Sequence, residues 1–570
     1  MFGRKNFTIL FQPAVAAFLA STFLFGIIVV FFRIGYVVDD DISAISLVSG
    51  YLGGTPLPFL AHSNVLLGLF LSPLYGLAPT INWEVVFFIV VNFISVWGLV
   101  YTLLSRLEAA SLSWFATGAV LLCDAYFLLN ITYTMIAAFA AIAGLCLVMT
   151  GVQSHLPLKK GLFVPGVVLV LLAGLIRFKA MLLVGGLILP VLVFFIRRNQ
   201  LKRQLIAFTV LGMLVLGCTI FDGLYLQRMS PAWYSFGLYD AVRTQLHDTP
   251  RKANVQAEIT ARVGWSSNDT RDFFTNWFFP DRKIYSIENL QYLVDHIPGT
   301  QPSKLKTLTA LLSSLASPVS WPYLLIVFSL GLSIWFYGLS KRVILPLLTL
   351  LVTFFGLGFY LSWTMKFPDR ILLSLLAGVA IFGLYILIWA GMSGTDALFR
   401  ARESPKALKA YLVGMFIFSA LTLGVVCYQS VETTKVYVRE QAAYQNILVD
   451  LKGLQDRGSI RGPSLIISPA YGMPLAWANP LTMNYPPIQV LEMGWLTFSP
   501  AYEKVLAAYG AQSMPDALYM QDNVYLMVPG SSLRGVTDFI KEHRRVAVDA
   551  LLIYTIPGTQ VNLYKLQPRN

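Results

Sequence analysis

The chain has 570 residues, of which 56% are hydrophobic and 12% charged, with a mean hydropathy of +0.66 and a formal net charge of +13. So apolar a composition excludes a soluble globular protein and predicts a polytopic α-helical membrane protein. The four cysteines all fall in apolar runs, the five histidines are scattered without metal-ligand spacing, and neither G-x4-G-K-S/T nor G-x-G-x-x-G occurs, which excludes a disulfide framework, a CxxC metal site and an ATP-driven pump.

Arg4 and Lys5 precede an apolar run over 7–32, long enough to cross ~30 Å of hydrocarbon at ~1.5 Å per residue. The run is too long for a cleavable signal peptide, so an uncleaved first span with a cytoplasmic N terminus is expected. Three consecutive carboxylates, Asp39, Asp40 and Asp41, follow at once. Ionised acids at the edge of hydrocarbon must meet water, a cation or a cationic substrate site. From 42 to 79 the chain is apolar but broken by Gly50, Gly53, Gly54, Pro56, Pro58, Pro73 and Pro79, which predicts short helices lying in the interface.

Further spans are expected over 83–104, 112–129 and 133–152. The segment 161–198 is too long for one crossing and carries Arg177 and Lys179 at its middle, so it reads as two spans with an outer hairpin. Spans over 205–226, 321–339, 343–363, 371–391 and 411–428 bring the total to eleven. The proposed cytoplasmic segments hold fifteen Lys and Arg against three acids, a net +12 of the total +13. That bias orients the chain by the positive-inside rule and accounts for the basic charge without nucleic acid. It leaves a first loop (33–83), a long loop (227–320) and a C-terminal region (429–570) outside. Runs such as Ser-Leu-Ile-Ile-Ser (464–468), 524–528 and 550–554 alternate with helical patterns near 502–509 and 536–543, predicting a small α/β domain.

Polar residues crowd toward the expected outer face. Asp124 and Asp222 fall near outer span ends, Arg177 and Lys179 on the hairpin, and Lys366 and Arg370 in the outer turn Thr-Met-Lys-Phe-Pro-Asp-Arg. Carboxylates suit the removal of a proton from a hydroxyl, and cations suit a phosphate leaving group. The long loop adds Arg243, Trp265, Asp269 and other aromatic residues, a set that fits sugar stacking and equally fits a small core of the loop itself.

A first span followed by an acidic pair, then VVDDDISAISLVSGYLGGTP, LSPLYGLAPTINWE, GWSSND (264–269) and KFPDR (366–370) in that order, resembles the GT-C superfamily of integral membrane glycosyltransferases, and in particular bacterial members that use polyprenyl-phosphate sugars. The resemblance implies a GT-C-like module of about eleven transmembrane helices over 1–428 with an extracytoplasmic α/β domain over 429–570, in the plasma (inner) membrane. It also implies a catalytic aspartate in the first outer loop. The family pair aligns with Asp39-Asp40 or with Asp40-Asp41, and Asp40 belongs to both. The expected reaction is inverting transfer from a lipid-phosphate sugar to an acceptor hydroxyl on a glycan, lipid or protein. In it Arg370, Lys366, Arg177 and Lys179 meet the donor phosphate, and Asp124, Asp222, Arg243, Trp265 and Asp269 contact substrate. No resident metal is assigned; a divalent cation, Mg or Mn, is optional. The alternatives are a polysaccharide or lipid transporter, and a polymerase or ligase of lipid-linked glycans.

Overall fold

The computed structural model describes residues 12–60, 62–107, 110–152, 161–196, 201–249, 254–276, 278–299, 301–337, 341–389, 405–469 and 472–569; Arg4, Lys5, Lys159, Lys160, Arg197, Arg198, Arg400 and Arg402 of the charge count lie outside them. The first helix, α1 (Pro13–Phe31), starts on a proline, whose missing N–H costs nothing at that position. It ends as the chain becomes extended, and β1 (Gly35–Tyr36) pairs in parallel with β2 (Asn130–Ile131). That two-residue ladder pins the start of α2 (Asp39–Val48) beside the joint between α5 (Ala110–Leu129) and α6 (Tyr133–Val152). The acidic triplet forms the first turn of α2, where free backbone N–H groups and the helix dipole favour negative charge. Gly50, at φ +82° and crowded by Pro56, turns the chain out of α2, and α3 (Val65–Leu77) follows, so the broken segment consists of short helices as expected.

Among the described residues nine helices are long and apolar enough to cross a membrane, or ten if the pair Lys304–Ala316 and Pro318–Leu332, bent by 66°, counts as one span. The chain is a multi-pass membrane protein. All twenty residues of α6 are buried, as suits a helix apolar on every side. It packs against α4 (Trp83–Arg106) and α7 (Phe163–Leu192). Gly144 and Gly166 let two of these backbones approach so closely that a Cβ on Gly144 would lie 2.8 Å from the Gly166 carbonyl oxygen, a contact only small residues permit.

The stretch Phe163–Phe195 turns back on itself at Arg177, whose backbone is non-helical (φ −155°, ψ 94°). Both of its ends meet the same end of α6. A Cβ on Gly151 would lie 2.9 Å from the Phe163 nitrogen. The Phe195 ring packs 5.3 Å from that of Trp389, whose indole N–H bonds the Thr150 hydroxyl at 3.3 Å. Arg177 sits at the opposite end of α6, 4.9 Å from the centre of the Tyr133 ring. A straight helix would hold 163 and 195 roughly 48 Å apart, so the expected hairpin is present. The turn frees the Leu175 and Ile176 carbonyls, which accept the Asn64 N–H (2.9 Å) and the Ser63 hydroxyl (2.7 Å).

The long loop is more ordered than its hydrophilic composition suggested. After α8 (Leu201–Met229) it folds into α9 (Pro231–His247), α10 (Ala257–Arg262), α11 (Ser267–Arg271), α12 (Ile287–His296) and α13 (Lys304–Ala316). Leu305, Leu308 and Leu312 of α13 are exposed on one face, as in a helix lying along a membrane surface. Next come α14 (Trp321–Tyr337), α15 (Lys341–Thr364) and the buried α16 (Asp369–Trp389). The helix of the last expected span does not stop at Tyr428: α17 runs unbroken over Pro405–Asp456, so the boundary expected at 428/429 falls inside a helix.

The C-terminal sheet has the order β4 (Gln489–Met493), β3 (Leu465–Pro469), β5 (Val524–Pro529), β7 (Val561–Pro568), β6 (Val548–Thr555). Its first three strands are parallel and the last two antiparallel. The strands expected at 464–468, 524–528 and 550–554 are there; β4 and β7 went unread. The domain sits on the end that carries α2. Tyr51 and Tyr485 stack at 4.0 Å, the Asn82 amide donates to the Pro480 carbonyl at 2.8 Å, and Lys504 bonds the Gly53 carbonyl at 2.7 Å. Lys341 and the C-terminal domain lie at opposite ends of α15, which rises ~36 Å over its 24 residues. If the charge bias orients the chain, a cysteine at exposed Ser267 or Ser531 will react with an impermeant maleimide on intact cells, and one at exposed Lys341 will react only after permeabilisation. The reverse pattern would turn the protein over.

Candidate functional site

Three consecutive residues in a helix point in directions ~100° apart, so the triplet presents three different environments. Asp41 turns inward and is buried. One of its oxygens accepts the Tyr133 N–H at 3.1 Å, and the other has no hydrogen-bond partner among the described residues. Burial pushes its carboxyl up to about 8, against the Tyr133 bond. Asp39 is pushed up to about 6 by burial and then by the charge of Asp40, with the Ala476 N–H acting the other way. Asp40, half-buried like Asp39, has a side chain 36% exposed and faces a cation, Arg370, at 4.0 Å. Burial raises its carboxyl above the ordinary range, while Arg370, Arg177 and Lys366 hold it back.

Asp41 yields a sign-definite expectation. A carboxyl whose folded-state value lies above its unfolded one is stabilising when protonated, and that contribution is lost as pH rises from about 4 to about 8. Asp41→Asn, neutral at every pH, will therefore gain stability relative to the parent as pH rises from 5 to 8 in thermal unfolding. A gap independent of pH would place the ionised form of Asp41 in the fold.

The cations come from separate elements. Arg370 is the second residue of α16, a position where the helix dipole disfavours positive charge and an opposing anion compensates. The turn before it is tied down by the Lys366 N–H, which donates to the Asp248 carbonyl at 3.2 Å. The Asp248 carboxyl, despite burial acting the other way, is held below its usual range by the His247 hydrogen bond, then by the charges of His247, Lys366 and Arg243. Arg177 reaches the Tyr133 ring from the α7 hairpin, and Lys179 beside it is exposed. The structure thus brings Asp39, Asp40 and Asp41 together with Arg370, Lys366 and Arg177.

Other expected contacts are engaged elsewhere. Asp124 is buried within α5 and accepts the Asn92 amide at 2.8 Å, a pair inside the helical bundle rather than at a cavity mouth. Asp222 holds the N-terminal N–H of α3 at Val65 at 2.7 Å, fastening that helix to α8, although it also lines the cavity described below. Trp265 packs against Phe273 and Tyr285 and donates to the Ile284 carbonyl at 2.9 Å. Asp269 closes a capping box with Ser266 and meets His543 at 3.0 Å. Trp265 and Asp269 therefore build the loop's own core and its seam with the C-terminal domain, the other reading of that aromatic set. Asp269, Glu542 and His543 bring their ligand atoms within 4.8 Å of one another, on the seam and not at the triplet. Arg243 is 1% exposed; it pairs with Asp240 and binds the carbonyls of Gly494 (3.0 Å) and Trp495 (2.6 Å), so it anchors the domain over the site.

Two further groups escaped sequence reading. Glu492 of β4 accepts the Ser43 hydroxyl of α2 at 2.9 Å; its other oxygen is buried without a partner among the described residues, and burial followed by the charge of Asp39 raises its carboxyl. An acid in the apolar strand Gln-Val-Leu-Glu-Met was the available signal. His62, at φ +60°, borders a cavity of about 350 Å³ between α3, the α7 hairpin, α8, α9 and Trp495, lined mostly by apolar side chains such as Leu60, Leu171, Phe178 and Val215.

No protein-family model matches the chain, and no curated protein does. Among solved structures, the crystal structure of ArnT from Cupriavidus metallidurans in the apo state is similar over 98% of this chain and 98% of its own, with 9% identity and a TM-score of 0.47. Likeness at that level says nothing of substrate or chemistry.

Proposed function

We propose that this protein is an integral membrane glycosyltransferase of the GT-C kind, moving a sugar from a polyprenyl-phosphate donor to an acceptor hydroxyl on the outer face of the membrane. The observation that carries this reading is Asp40, the acid of the triplet that meets a cation among the described residues, set 4.0 Å from Arg370 with Arg177 and Lys366 close enough to act on its charge. An acid surrounded by cations combines a proton acceptor with a seat for an anionic leaving group. The runs DDD, GWSSND and KFPDR, whose order resembles that of GT-C proteins, support the same reading.

In the proposed step the acceptor O–H gives its proton to Asp40, the acceptor oxygen bonds to the anomeric carbon, and the bond from that carbon to the lipid phosphate breaks with its electron pair leaving on phosphate oxygen. Arg370, Lys366 and Arg177 meet the developing charge, in a setting where preorganised charges are worth more than in water. Asp40 needs no metal to accept a proton. Asp41, pushed up to about 8 by burial, adds little negative charge near neutral pH, which eases the approach of an anionic donor. Glu492 and Arg243 hold the C-terminal domain over the site. The test is to incubate purified protein with a panel of polyprenyl-phosphate sugars and candidate acceptors and to follow release of the lipid phosphate. Turnover of one donor establishes the reading, and no release with any of them overturns it.

A further inference from the structure

Beside the acid and the cations lies a group of uncharged donors that the proposed step does not use. His62 is walled in by protein, yet its side chain is exposed because it opens on the cavity. Among the described residues neither of its ring nitrogens has a hydrogen-bond partner. Its ring stands 6.4 Å from that of Tyr133 and 5.8 Å from that of Trp495. Both neighbours also carry unmet polar atoms: the Tyr133 hydroxyl and the Trp495 indole N–H are buried without partners among the described residues. Two buried groups without partners, on the rings that flank an imidazole open to the cavity, are costly unless a ligand or water completes them. The backbone points the same way, since φ +60° is uncommon for a residue with a side chain and is held only where the surroundings demand it.

Charge says what that ligand is. Arg177 lies over the same Tyr133 ring, and Arg177, Lys179, Arg243 and Arg370 are the charges that act on His62; burial and these cations keep the imidazole neutral. A neutral imidazole keeps one N–H donor without adding to the repulsion among the cations. The geometry points to a phosphate seat in which His62, with the Tyr133 hydroxyl and the Trp495 N–H, hydrogen-bonds the oxygens of a lipid phosphate attracted by Arg177 and Arg370, while the apolar cavity takes the start of its hydrocarbon chain. This assignment rests on the donor proposed above and adds what orients it: cations attract a phosphate from any direction, whereas directed donors fix its rotation.

The test uses the full-length protein in nanodiscs with farnesyl phosphate and inorganic phosphate as probes. His62→Phe keeps a flat ring against Tyr133 and Trp495 but removes both nitrogens, and His62→Asn keeps an amide donor and tolerates positive φ. If His62 binds phosphate, His62→Phe will weaken farnesyl phosphate binding roughly tenfold or more, and His62→Asn will recover part of the loss. A purely packing residue gives the opposite order, with Phe accepted and Asn worse, and that order overturns the assignment. Tyr133→Phe, which removes one oxygen, will also weaken binding, and it serves as the readout if either His62 variant fails to fold. Farnesyl phosphate will bind more tightly than inorganic phosphate, and equal affinities would remove the hydrocarbon chain from the cavity. If the parent binds neither probe, the lipid-phosphate donor itself falls, whereas tight binding untouched by His62→Phe and Tyr133→Phe removes this inference alone.

Discussion

Asp40→Asn will fold, insert and bind donor, yet transfer sugar ~10²- to 10⁴-fold more slowly than the parent, the usual loss for a positioned general base. The substitution keeps the shape of the side chain and removes its basicity. Because Asp40 is 36% exposed, an uncharged amide fits there, and its oxygen can still accept from Arg370. Asp39→Asn and Asp41→Asn will be milder, since the ion pair with Arg370 belongs to Asp40 and Asp41 is buried against the Tyr133 N–H. The pH profile carries the same signature. Burial raises the Asp40 carboxyl above the ordinary aspartate value, and a base works only when deprotonated, so kcat/KM will fall as pH drops through a limb lying above that value. Asp40→Asn will lose the limb along with the rate. A variant of Asp39 that proves indispensable while Asp40→Asn turns over normally would move the base by one residue.

Arg370→Ala will weaken donor binding by roughly 1.5–3 kcal/mol, the worth of one charge-assisted contact, or about 10- to 150-fold in Kd. Arg370 occupies a position at the start of α16 that the helix dipole disfavours for a cation, so its removal will cost the fold little, and thermal unfolding separates the two effects. Lys366→Ala will be weaker, because Lys366 acts on Asp40 less than Arg370 does. Unchanged donor affinity in Arg370→Ala, with the fold intact, would reduce this cation to a partner of lipid headgroups.

Much of this arrangement was legible in the sequence, where its cause is local. Apolar runs of spanning length became spans, the two cations in an overlong run became a hairpin at Arg177, and the glycine- and proline-broken stretch became short helices. The acidic triplet was visible as chemistry, but which acid meets a cation was not. That depends on the rotation of α2 and on the β1–β2 ladder that brings the Tyr133 N–H to Asp41, a contact across 92 positions. Glu492 meets Ser43 across 449 positions, beyond the reach of any periodicity. Trp265 and Asp269 illustrate a choice the sequence left open. Their types suit sugar binding, but the loop around them forms helices of its own and needs them as core and cap. The end of α17 was missed for a simpler reason: past Tyr428 the helix leaves the apolar regime, and hydropathy no longer marks it although the chain stays helical to Asp456.

The anomeric configuration of the product is the most direct test of the central claim, that an acceptor hydroxyl activated by Asp40 displaces a lipid phosphate in one step. With purified protein and a polyprenyl-phosphate sugar of known configuration, proton NMR of the glycosylated acceptor will show inversion. Retention would require a second displacement and a glycosyl-enzyme intermediate, contradicting a single displacement with Asp40 as its general base.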